Sequence, residues 1–196
     1  MTDVLESHWS NRDRKAAIET AVAVLLESIG EDPRREGLVD TPKRVARMYV
    51  DELAIGNGRD LAAELSTTFA EDHHEMVVMT GIPFYSLCEH HMVPYLGHAH
   101  IGYIPDGCVV GLSKLARLVE TASRRLTIQE RLTSEIADAI ERALKPSGVM
   151  VVMRAEHLCM TMRGVEKPGT LTTTSAVRGS FKEQPATRAE FMGLIP

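Results

Sequence analysis

Cys88-Glu89-His90-His91 is the densest cluster of metal-ligating side chains in the chain. Cys88 and His91 stand at C-x-x-H spacing, which lets a tight turn aim a thiolate and an imidazole at one point. Two ligands do not make a site. Cys159 is the natural third, with His157 beside it, although spacing alone leaves that choice open. Three protein ligands and a free fourth position describe a catalytic zinc rather than a structural one. The free position takes a water whose pKa the metal lowers to about 7. The residues also suit a plainer reading, with Cys88 a small buried hydrophobe and the histidine pair at the surface. His73-His74, set among Glu71, Asp72 and Glu75, reads as a solvated loop, and Cys108 as a strand residue.

Two further clusters could handle an anion and a base. Gly111-Leu112-Ser113-Lys114 runs from strand into helix, with Arg117 one turn on. Helix N-termini attract anions through free N–H groups, and Lys114 and Arg117 add positive charge. The structural alternative makes Ser113 a helix cap and leaves the two cations solvated. Thr127-Ile128-Gln129-Glu130 has the form of a capping box. A carboxylate beside free amides could equally accept from the N–H and NH₂ edge of a guanine. Neither a G-x-x-x-x-G-K-S/T loop nor a G-x-G-x-x-G fingerprint is present.

The elements that must position these groups are legible as an α+β class. Apolar residues from Ala17 to Ile29 recur at helical spacing over Arg12 to Ile29, and Gly30 follows as a stop. Thr41 as N-cap and Pro42 at the first position signal a second helix to about Ala54. Residues 56–74 read as irregular, with one short helix near Leu61. Glu75 to Tyr85, Tyr95 to Ile104 and Cys108 to Leu112 read as a three-stranded meander, turned at Pro105-Asp106-Gly107. Helices follow over Ser113 to Arg124 and Ile128 to Leu144. Val149 to Ala155 and Met160 to Val165 read as a strand pair, then Thr172 to Phe181 as a Thr-rich strand. A last helix is expected with Thr187 as cap and Glu190 completing a box. The expected layout is an antiparallel sheet with helices on one side. Residues 1–74 form an N-terminal helical region and 75–196 the main domain.

Bulk properties exclude several classes. Hydrophobic residues make up 44% and charged residues 25% of the 196, as in ordinary soluble domains. With 5% aromatics and a net charge of -5, stacking platforms and a phosphate-backbone footprint are both missing, so no nucleic-acid partner is expected. Met1 to Asn11 lacks a signal-peptide pattern, and no apolar run approaches membrane-spanning length. Three cysteines do not suggest a disulfide framework. The expectation is a cytoplasmic protein without a membrane partner.

The blocks occur in an order that resembles GTP cyclohydrolase I: Cys88-Glu89-His90-His91, Gly111-Leu112-Ser113-Lys114, Gln129-Glu130-Arg131-Leu132-Thr133, then His157-Leu158-Cys159 through Met162-Arg163-Gly164. The similarity continues through Thr172-Thr173-Thr174-Ser175 and Thr187-Arg188-Ala189-Glu190-Phe191, and reaches back to Thr41 through Met48. That family converts GTP and water to 7,8-dihydroneopterin triphosphate and formate, entering folate and tetrahydrobiopterin synthesis. The resemblance implies Zn²⁺ on Cys88, His91 and Cys159, with His90 and His157 as catalytic histidines. It implies Glu130 and the neighbouring amides at Gln129 as the guanine anchor. Ser113, Lys114, Arg117 and Arg163 would bind the triphosphate, with Arg44 and Arg47 from a neighbouring subunit. It also implies the tunnelling fold (T-fold), in which antiparallel sheets of several subunits close into a barrel with helices on the outer face. Family members are commonly homodecamers of two pentamers with sites between subunits, and the resemblance implies the same here. Two positions depart from the family: Arg47 stands where Lys is common, and His98 where a strand Lys is frequent.

Overall fold

The computed structural model describes residues 9–196, so Met1 to His8, most of the stretch read as lacking a signal peptide, lies outside the described residues. The chain divides into two compact units, residues 1–55 and 56–196. Residues 56–74, read above with the N-terminal helical region, pack with the second unit here, where Leu61 and Leu65 are buried in its core.

The first unit is helical. Helix α1 spans Asn11–Ser28 and begins in a capping box between Ser10 and Asp13. It buries none of its residues, and Val24 and Leu25 are exposed. Helix α2 spans Thr41–Met48 with Pro42 in its first turn, then widens into a π-helical turn at Tyr49–Leu53. Asp40, not Thr41, holds the N-cap, and no side chain caps it. A Lys15–Asp51 ion pair of 2.6 Å joins α1 to the π turn.

The second unit is built on a five-stranded sheet ordered β5-β2-β3-β6-β7. Its strands are β2 (Val77–Cys88), β3 (Pro94–Ile104), β5 (Leu126–Thr127), β6 (Gly148–His157) and β7 (Leu171–Gly179). All pairs are antiparallel except the short β2–β5 contact, so the sheet is mixed. The expected meander is revised: β4 (Cys108–Val110) turns away from β3 and pairs with β1 (Thr68–Ala70), two residues beyond a 3₁₀ turn at Leu61–Leu65. Residues Met160 to Val165 form no strand. The chain leaves β6 through a helical turn, α5 (Leu158–Thr161), and β7 takes the pairing edge of β6.

Helices α3 (Leu112–Ser123) and α4 (Gln129–Leu144) cover one sheet face. Their buried positions follow a helical stripe: Leu115, Leu118, Val119 and Ala122 on α3, Leu132, Ile136 and Ile140 on α4. These meet Ile82, Phe84, Ala99, Ile101, Val151 and Met153, the alternate residues of three strands. The expectation that helices lie on one side holds for this pair only. Met150 and Val152 point to the opposite face, where α6 (Ser180–Glu183) and α7 (Pro185–Leu194) bring Phe181 and Phe191. Gly102 makes room there, since a Cβ at that position would lie 2.5 Å from the Phe191 ring. β6 is therefore apolar on both faces, and its near-continuous hydrophobic run has a cause. Helix caps differ from the sequence reading at three further places. Gly111, Ile128 and Gln184 hold the N-cap positions, without side-chain capping bonds, where Ser113, Thr127 and Thr187 were expected.

His100 is buried on the α7 side of β3, with its Nδ1 accepting from the Gly81 amide at 3.3 Å. Burial, and then the nearby Arg154 and His98, hold its pKa below the ordinary 6.5. The unfolded chain thus binds a proton that the folded chain releases, so this contribution is complete above about pH 6.5 and is lost as pH falls below it. His100→Gln, which keeps an acceptor, is expected to flatten the acid side of a melting-temperature profile. An unchanged acid slope would assign the pH dependence to other groups.

Candidate active site and metal centre

The hairpin between β2 and β3 sets the first two metal-ligating groups. Cys88 N–H donates to Val93 O at 3.0 Å and Met92 N–H to Cys88 O at 2.8 Å. Met92 adopts a φ of 56°, a left-handed conformation uncommon for a residue with a side chain. The tight turn sends His90 and His91 to one side of Cys88, as the C-x-x-H spacing predicts. Cys88 Sγ lies 3.8 Å from His90 Nδ1 and 4.0 Å from His91 Nδ1. Arg131 clamps the turn from α4 by pairing with Glu89 at 2.6 Å.

The third group arrives through sheet register. Tyr95 and His157 are direct cross-strand partners on β3 and β6, and α5 then turns Cys159 back towards the hairpin. The ligating atoms of Cys88, His91 and Cys159 all lie within 4.8 Å of one another. A tetrahedral ion at bond lengths of about 2.0–2.3 Å holds its ligands roughly 3.5–4 Å apart, so small side-chain rotations close the set. Burial and the neighbouring Cys88 push the Cys159 thiol up. A divalent cation placed between the two sulfurs would reverse that push by favouring both thiolates. The donor set therefore fits a metal.

An open cavity of about 320 Å³ surrounds this group. Its lining includes Cys88, His90, His91, Glu130, His157 and Cys159. Glu130, exposed on the first turn of α4, lines the cavity with Ile128 and Gln129, where the first amides of the helix lack intrahelical partners. Burial lowers the pKa of His157, opposed by the negative charge of Glu130. The His157 ring stacks on Tyr95 with 4.6 Å between centroids and 1° between planes. Tyr95 is fully buried, and burial, partly offset by the nearby Ser86 hydroxyl, raises its pKa to about 12. Arg163 reaches the rim, with Nη1 3.4 Å from His91 Nε2.

Other expected residues lie elsewhere. Ser113, Lys114 and Arg117 occupy the first turns of α3, which starts beside β4. The Val110 amide there donates to the Tyr103 hydroxyl, and Tyr103 pairs with Val77, so this is the sheet end opposite Cys88. Arg44 and Arg47 belong to the first unit, in a charged pocket with Lys15, Lys43, Glu19 and Asp40. Sequence reading missed Tyr95 and the side-chain role of Gln129, since both depend on strand register that no local pattern displays.

The model of the family described as GTP cyclohydrolase I matches residues 18–196. The chain belongs to that family. The GTP cyclohydrolase 1 of Carboxydothermus hydrogenoformans is 60% identical over 92% of this chain and 94% of its own length. The enzyme of the same name from Halalkalibacterium halodurans is 58% identical over 91% and 95%. A solved archaeosine synthase QueF-like protein aligns at a TM-score of 0.45 with 18% identity, over 53% of this chain and 93% of that one. As a GTP cyclohydrolase I, the chain is an enzyme that acts on GTP and yields dihydroneopterin triphosphate. No helix among the described residues is long and apolar enough to cross a membrane.

Proposed function

We propose that GTP is opened in the cavity between the β2–β3 turn, the start of α4 and the end of β6, with Zn²⁺ on Cys88, His91 and Cys159. The observation that carries this is the convergence of those donors with His157 and Glu130 in one cavity. When bound, the zinc supplies Lewis acidity and an activated water next to the purine. Glu130 accepts from the guanine N1–H and 2-amino group, and the first amides of α4 complete the anchor. His90, exposed beside Cys88, stands near the carbon that reacts. C8 of guanine is a poor electrophile until N7 is protonated, so a histidine that donates there prepares the attack. His157 takes up and returns protons as the imidazole ring opens and formate leaves. No redox cofactor is required.

The triphosphate is assigned to Arg163 at the rim and to Ser113, Lys114, Arg117, Arg44 and Arg47. We place Ser113, Lys114 and Arg117 on a neighbouring copy, because α3 starts at the far end of the sheet, and Arg44 and Arg47 on a neighbouring copy as the family resemblance implies. The free edges support assembly. Beyond Leu87 and Cys88, β2 has no partner on its outer side among the described residues, and β7 has none either. Exposed edges of this length invite pairing, and a barrel closed across subunits removes them. The unburied apolar side chains of α1 add a second surface. This reading takes the T-fold, a decamer of two pentamers and a cytoplasmic location.

The direct test is incubation of zinc-loaded protein with GTP. Formate release with a fluorescent pterin after oxidation is the expected result. A stable GTP complex with no product would point instead to a nucleotide sensor, and ammonia release to a deaminase.

A further inference from the structure

The two side-chain atoms of the Gln129 amide are not interchangeable. Nε2 lies 3.0 Å from Met153 O, 3.0 Å from Thr172 O and 3.1 Å from Thr174 Oγ1. Two of those are backbone carbonyls, which only accept, so the group facing them must be the NH₂. A flipped amide would press Oε1 against both oxygens in a site where Gln129 is 1% exposed. The rest of the network agrees. Thr133 Oγ1 donates to Gln129 O at 2.7 Å, which uses its one proton. The 2.6 Å contact between Thr133 and Thr174 is then donated by Thr174, leaving Thr174 oxygen lone pairs for the Gln129 NH₂. The two NH₂ protons of Gln129 are shared among three acceptors, and none of the three requires an oxygen at that position.

Gln129 Oε1 therefore faces His157 Nε2, 2.8 Å away, and an amide oxygen can only accept. The imidazole must carry its proton on Nε2. The stacked Tyr95 ring opposes rotation of the imidazole out of its plane. We propose that Gln129 is the positioning residue that fixes the His157 proton on Nε2, leaving Nδ1 as the atom that takes up and returns protons during turnover. This rests on the role given to His157 above. It also revises the part given to Gln129: its side chain is committed to the protein interior, and only its backbone amide remains for the guanine.

Neutron diffraction from deuterium-exchanged crystals of the zinc-loaded protein reads the proton directly. Deuterium on His157 Nε2, aimed at Gln129, is expected; a bare Nε2 overturns the proposal. This measurement needs no variant and no turnover, so it stands apart from whether the chain releases formate. Kinetics of Gln129→Leu supply a second readout. Loss of a hydrogen bond that sets a catalytic histidine's tautomer should lower kcat by roughly 10–100-fold or more, with KM for GTP nearly unchanged. A loss carried by KM, or an unchanged kcat, would return the Gln129 side chain to substrate binding and overturn the proposal. If Gln129→Leu fails to fold, the deuterium position alone decides.

Discussion

Cys88→Ala and Cys159→Ala are each expected to lose bound zinc and formate release together, with activity down by roughly a thousandfold or more. The magnitude follows from what a Lewis acid contributes: several kcal/mol of barrier, at about 1.4 kcal/mol per factor of ten. Both thiols approach one imidazole, and their ligating atoms sit within 4.8 Å of each other, so removing either leaves two ligands. His157→Ala is the control that gives the experiment its meaning. That ring hydrogen-bonds to Gln129 and stacks on Tyr95, so its removal should leave the metal in place. Turnover should nonetheless fall by about 10²–10⁴, the range for a lost general acid–base group. Metal analysis of the three purified variants separates the cases. Zinc retained by Cys159→Ala, or lost by His157→Ala, would exchange the two residues' roles.

Local signals carried much of this fold, and long-range register carried what was missed. Apolar spacing located α1, and start and stop signals located α3 and α4, each to within a residue or two. Val149 to Ala155 read as a strand from its β-branched run, and the cause of that run, covering on both faces, appeared only with α7 in place. Met160 to Val165 looked like a strand by composition. Its β pairing went to β7 instead, and the chain beyond His157 coiled into α5, which is what turns Cys159 toward Cys88. The site divides the same way. Cys88 and His91 share one turn, so their spacing was visible, whereas Cys159 joins them through the Tyr95–His157 register. Ser113 and Thr127 obey capping preferences in sequence, yet Gly111 and Ile128 occupy the caps. The neighbouring strands β4 and β5 fix where each helix must start.

Mixing two inactive variants should restore activity. Lys114→Ala removes a cation from the start of α3, and His157→Ala removes the proton carrier from the end of β6. Within one chain these positions belong to opposite ends of the sheet. The far end of α3 is the one nearer the cavity, since just beyond it Arg125 O accepts from Ser86 and Leu126 pairs with Leu87. Lys114 lies roughly 15 Å up the helix from there, at 1.5 Å per residue. If the phosphates of one GTP reach Lys114 of a neighbouring copy, a site needs an intact His157 from one chain and an intact Lys114 from another. Random co-assembly of equal amounts leaves about a quarter of the sites intact in a closed symmetric ring. Co-expressed, doubly tagged assemblies should then show about that share of wild-type formate release, while each variant alone stays near background. Mixed assemblies no more active than the separate variants would mean that Lys114 serves its own chain's cavity or none. Recovery near a quarter would instead show that each working site draws His157 from one copy and Lys114 from another, so that the catalytic unit is a pair of copies.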